Sequence, residues 1–120
     1  MQDQVLAVDD RAVERDRSRA ALSVHLAALA FGQRAKDVAA TTRRDAASAA
    51  ARRVAVYLTH VGFGLSMDRV AAAFGRTRTA VGWACNLVED ARDDPGFDAR
   101  VSALEGCVRQ VLAAEAGEPA

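Results

Sequence analysis

Hydrophobic positions along this chain recur at intervals of three and four residues and do not alternate in twos. Val and Ile do not cluster between turn signals either, so the pattern predicts an all-α protein, a small helical bundle. The first helix is expected from about Arg11 to Phe31, with Asp9 or Asp10 as N-cap and Gly32 as terminator. Its buried stripe reads as Leu22, Leu26 and Leu29, with His25 on the same side. Short turns over 33–40 lead to a basic connection, Thr41-Thr42-Arg43-Arg44. Asp45 then caps a helix from about Ala46 to Val61 that buries Val54, Tyr57, Leu58 and Val61, at i, i+3, i+4 and i+7. Gly62-Phe63-Gly64 stops it. The same spacing returns in Met67, Val70, Ala71 and Phe74, a two-turn helix capped by Ser66 and ended by Gly75. Only Arg76-Thr77 separates this from a helix over about Arg78 to Ala91, with Val81, Ala84, Cys85 and Val88 as its stripe. Asp93-Asp94-Pro95-Gly96 reads as a turn. A last helix from about Asp98 to Ala114 then buries Val101, Leu104, Val108 and either Val111 or Leu112. The organisation expected is a helical extension over 1–20, a bundle over 21–114 and a frayed tail over 115–120.

Composition narrows the class. A chain of 120 residues, 51% hydrophobic and 27% charged, suits one folded domain. The uncharged run Ala20 to Gln33 is interrupted by Ser23 and His25 and falls short of the roughly 20 apolar residues that span a bilayer. The opening Met1-Gln2-Asp3-Gln4 lacks a basic start and an apolar stretch, so the reading is cytoplasmic, with no membrane partner. Cys85 and Cys107 are too few and too separate for a disulfide framework or a metal clip, and each is expected to be a small core residue. His25 and His60 lack neighbouring carboxylates or thiols in sequence, and no phosphate-binding Gly-x-x-x-x-Gly-Lys-Ser/Thr loop occurs. Neither an enzyme nor a cofactor, metal or nucleotide site is expected.

The sixteen basic side chains equal the sixteen acidic ones, yet their distribution is lopsided. Residues 1–33 carry a net charge of −1, residues 34–78 carry +6 and residues 79–120 carry −5. A basic middle of this kind steers a domain toward phosphates, although a solvated surface with accidental clustering gives the same tally.

Two helices joined by a short Gly-containing turn are the signature of a helix-turn-helix, while the same turn chemistry also serves a plain helical hairpin. In the first case Thr77, Arg78 and Thr79 open the helix that enters the DNA major groove, where the leading residues reach base edges. Arg43, Arg44, Arg53, Arg69 and Arg76 are then the candidates for phosphate contacts. Helix phase places Thr79, Trp83, Asn86 and Asp90 opposite the stripe of Val81, Ala84, Cys85 and Val88. Trp83 and Asn86 are therefore candidate contacts to DNA or to a protein partner.

Three stretches carry a family resemblance: Arg52-Arg53-Val54-Ala55-Val56-Tyr57-Leu58, Leu65-Ser66-Met67 through Phe74-Gly75, and Arg76-Thr77-Arg78-Thr79-Ala80-Val81 with Ala84-Cys85. Together they resemble the C-terminal DNA-binding domain of the bacterial replication initiator DnaA, over about residues 24 to 112. The resemblance implies double-stranded DNA as partner, Arg52 in the minor groove, and Thr77, Arg78, Thr79 and Ala80 at bases or phosphates in the major groove. Thr77 stands where that family has Asp, and Ala80 where it has a second Thr. The implied function is occupancy of DNA sites, on the nucleoid, to regulate replication initiation or transcription. A protein-interaction module built on the same helices is the alternative.

Overall fold

The computed structural model describes residues 2–40 and 45–117, with side chains from Asp10 onward. Among these residues every regular element is helical: α1 (Gln2–Phe31), α2 (Ala35–Ala39), α3 (Ala46–Tyr57), α4 (Met67–Phe74), α5 (Arg78–Ala91) and α6 (Pro95–Glu115). A single π-turn, Leu58–Gly62, extends α3. None of these helices is both long and apolar enough to cross a membrane.

Local chemistry places most boundaries where the sequence puts them. Asp45 accepts from the Ser48 amide, Ser66 from Arg69 and Thr77 from Ala80, so three helices begin on side-chain caps. Gly75 ends α4 at φ 64°, a left-handed conformation that costs glycine little and other residues more. Two boundaries differ from expectation. Helix α1 runs unbroken through Asp9 and Asp10, so neither Asp caps it. Helix α6 begins three residues early, because Asp94 accepts from the Phe97 amide while Pro95 fills the first turn, where a missing N–H costs nothing.

The core forms around α3, which packs between α1 and α5, with α4 against both of those helices and α6 against the π-turn. The buried face of α1 is a seam of small residues, Ala20, Ser23, Val24, Ala27 and Ala28, continued by Asp16. Of the expected leucine stripe, Leu22 and Leu26 are half-buried and pack against the edge of this core, whereas Leu29 is 83% exposed and His25 is exposed. Small side chains let α1 lie close to α3, whose Ala51 and Ala55 are equally buried, and close approach recovers in packing what each small residue lacks in area.

The π-turn rewrites the end of α3. Its wider turn rotates Val61 to solvent, against the expected burial, while Leu58 and Thr59 before it and Phe63 and Leu65 after it are buried. Gly62 lies in the turn because α6 crosses there: a Cβ at this position would meet Val108 Cγ1 at 3.2 Å. Cys85 is half-buried against the core as expected, but Cys107 is exposed on α6.

Two polar assemblies tie the layers together. Asp16 of α1 is buried and takes a two-pronged bond from Arg69 of α4, Nε to Oδ2 at 3.0 Å and Nη2 to Oδ1 at 2.7 Å. At the far end of α5, Arg92 reaches Asp98, Glu105 and Ser102 of α6 and the Tyr57 hydroxyl of α3, which itself donates to Glu89.

Candidate nucleic-acid interface

Between α4 and α5 the chain turns within three residues, with Gly75 left-handed and the Thr77 hydroxyl capping the second helix. The cap satisfies the Ala80 amide and leaves those of Arg78 and Thr79 without an intrahelical acceptor, so the helix end keeps its partial positive charge. Thr77, Arg78 and Thr79 are exposed and Ala80 is half-buried. Arg78 has one loose partner, Asp68 at 3.6 Å, in a pair whose side chains are 68% and 73% exposed. Water screens such a pair to little net value, so Arg78 is available to a stronger acceptor.

The outer edge of α5 matches its expected phase. Thr79, Trp83, Asn86 and Asp90 are exposed, and Val81, Ala84 and Val88 are buried. Trp83 is 63% exposed, an uncommon position for the largest apolar side chain. Gly82 lies next to it, where a Cβ would stand 2.9 Å from the Met67 methyl, so the glycine admits α4's leading side chain against α5.

One side of this edge descends into a groove of about 400 Å³. Trp83, Ala80 and Ala84 of α5 form one wall and Arg52, Arg53 and Val56 of α3 the other, with Arg76 and Phe74 at one end and Ala39 of α2 closing it. Lined by apolar and arginine side chains together, it gathers five of the predicted contact residues, Arg52, Arg53, Arg76, Ala80 and Trp83. Burial pushes the Arg52 guanidinium below its ordinary pKa, and repulsion from Arg76 and then Arg53 adds to this. That mutual repulsion marks a locally positive field, which an anion would relieve.

The five predicted phosphate arginines part company here. Arg53 and Arg76 face the groove, and Arg76 also approaches the Ala40 carbonyl at 3.5 Å. Arg69 is committed to Asp16, which holds its guanidinium above the ordinary pKa. Arg43 and Arg44 lie outside the described residues. Arg52 turns inward onto two α2 carbonyls, Val38 O at 2.8 Å and Asp37 O at 3.1 Å. Sequence reasoning had no access to either engagement, because the partners lie 53 and about 15 residues away.

Among the described residues no three His, Cys, Asp or Glu side chains converge as metal ligands. The Cys85 thiol is raised in pKa by burial and secondarily by the Glu89 charge, which keeps it protonated and a poor nucleophile. His60 bonds through Nδ1 to the Leu65 carbonyl, an arrangement that braces the segment leading to α4. No protein-family model matches the chain, and no curated protein is significantly similar to it.

Proposed function

We propose that this protein binds double-stranded DNA with sequence preference and acts by occupancy, regulating replication initiation or transcription. In this reading α4 and α5 are the two arms of a helix-turn-helix, with α5 in the major groove. One observation carries the reading: the exposed opening of α5, with Arg78 and Thr79, adjoins a groove holding Arg52, Arg53 and Arg76 on the same face as Trp83. A surface of this kind has a base-reading edge beside a phosphate-attracting flank, which is the division of labour such domains use. The motif likeness to the DnaA C-terminal domain supports the same reading, and Thr77 and Ala80 point to a preferred site different from the one that family reads. A methyl at position 80 suits a thymine methyl, and Arg78 suits guanine O6 and N7.

Selection on random duplexes tests it directly, and an enriched motif is the expected outcome. If about four phosphates are neutralised, the log–log salt slope of binding is near −3.6, at about 0.9 per phosphate. A slope indistinguishable from zero would remove the reading. The exposed ring and the apolar groove floor also suit a protein partner, with Trp83 as anchor. The lone Trp separates the two: iodide quenches its fluorescence in the free protein, and saturating duplex shields it only if the DNA reading holds.

A further inference from the structure

The family likeness assigns Arg52 to the minor groove, but its surroundings in this chain assign it elsewhere. Arg52 sits on α3 facing the carboxyl end of α2, a five-residue helix whose last carbonyls point toward α3. Its Nε donates to Val38 O and its Nη2 to Asp37 O, so one planar guanidinium closes two of those acceptors at once. The Ala40 amide closes back on the same Asp37 carbonyl, and Arg76 approaches the Ala40 carbonyl. Val38, fully buried, anchors the same turn from the core side. Ala39 between them lines the same groove as Trp83. A guanidinium extended into a minor groove would abandon both carbonyls and release the turn that forms this wall.

We infer that Arg52 is a positioning residue: it holds the end of α2 in place and so fixes the groove wall, and it does not read bases. This rests on the DNA reading for its functional half and on the fold alone for its structural half. Three consequences follow. Losing the fork weakens binding to every duplex by the same factor, leaves the preferred motif intact, and loosens the α2 turn. Retaining the charge does not rescue, because an ammonium is a point charge on a flexible stem and cannot reproduce two coplanar bonds.

The test uses Arg52→Lys and Arg52→Ala in the full chain, both confirmed folded by circular dichroism at a temperature well below unfolding. Arg52→Lys is expected to lower affinity for preferred and scrambled duplexes equally, by about three- to tenfold, with the selected motif unchanged. Amide hydrogen exchange at Val38 and Ala40 is expected to accelerate in both variants. Relaxation of one base position in the selected motif, with exchange unaltered, would return Arg52 to the minor groove and overturn the inference. Unchanged affinity in a folded Arg52→Lys, with faster exchange, would reduce it to a purely structural residue and equally overturn the positioning role. If the parent protein binds no duplex at all, the DNA reading fails, and the exchange measurement still decides whether Arg52 holds the α2 turn.

Discussion

Helix α5 carries an arginine at each end, and the two have opposite circumstances. Arg78 opens the helix with its side chain 68% exposed and a single distant carboxylate beside it. Arg92 caps the other end with its side chain 17% exposed, bonded to Asp98, Glu105, Ser102 and Tyr57, and its guanidinium lies 5.8 Å from the centre of the Tyr57 ring. Burial alone would lower the pKa of Arg92, but the bonds to Asp98, Tyr57 and Glu105 outweigh it and raise the guanidinium above its ordinary value. The same residue type is thus a fastener at one end and an unspent donor at the other. What separates them is α6, whose Asp98, Glu105 and Ser102 supply partners to the carboxyl end of α5 and not to its amino end. Net charge by segment, +6 in the middle and −5 after it, records that division coarsely.

The comparison breaks most readily at Arg92. Arg92→Ala leaves the largely buried Glu105 carboxylate without its cation and takes one of two partners from the Tyr57 hydroxyl, and it should cost about 2–4 kcal/mol of stability in urea unfolding. Affinity of the molecules that remain folded should be unchanged. A loss under about 0.5 kcal/mol would show that the network is ornamental. Arg78→Ala is the mirror experiment, with an expected loss of about 1–3 kcal/mol of binding at the preferred duplex and relaxation of one base position. Its stability should stay within about 0.5 kcal/mol of the parent, as for other exposed sites. Equal affinity and an unchanged motif would remove α5 as the reading helix.

Two smaller effects sharpen the fastener's side. Burial first, then the bond to Glu89, pushes the Tyr57 hydroxyl from 10.0 up to about 12. A raised acid group holds its proton more tightly when folded, so this contribution is whole below pH 10 and is lost as pH rises through about 12. The chain has one Tyr, so tyrosinate absorbance follows it alone, and Tyr57→Phe should flatten the alkaline loss of stability between those values. Removing the hydroxyl at neutral pH should cost about 1 kcal/mol, since one hydrogen-bonded group is deleted from the cluster. At the other end, Thr77→Ala should cost about 1 kcal/mol or less through the lost cap at Ala80, read from the urea midpoint.

Much of the fold was legible because its boundaries are written in local chemistry. Asp45, Ser66, Gly75 and Thr77 each act within three residues of themselves, and the stripes of α4, α5 and α6 are marked by residues large enough to stand out. Helix α1 was misread for the opposite reason. Its buried face is alanine and serine, and on an alanine-rich helix the eye follows leucine, so Leu29 and His25 were placed inward although small size decides which face approaches α3. Val61 failed because a π-turn alters the periodicity on which the reading depends, and Asp94 failed because Asp-Pro serves equally as a turn and as a helix start. The exposed half of the candidate site, Arg78, Thr79, Trp83 and Asn86, followed from helix phase. The engagements of Arg69 with Asp16 and of Arg52 with α2 are products of tertiary contact, and neither partner carries a sequence mark of the pairing.

The π-turn at Leu58–Gly62 makes this stretch the natural place for the chain to change length. A π-turn is an α-helical turn that has taken in one extra residue, and its wider ring absorbs that residue locally. Deleting one residue inside a regular helix such as α4 would rotate everything after it by about 100°. Deleting one here closes the wide turn to an ordinary one and leaves Phe63 and Leu65 facing their present neighbours. A one-residue indel in this stretch is therefore a change of chain length that the surface opening α5 does not register.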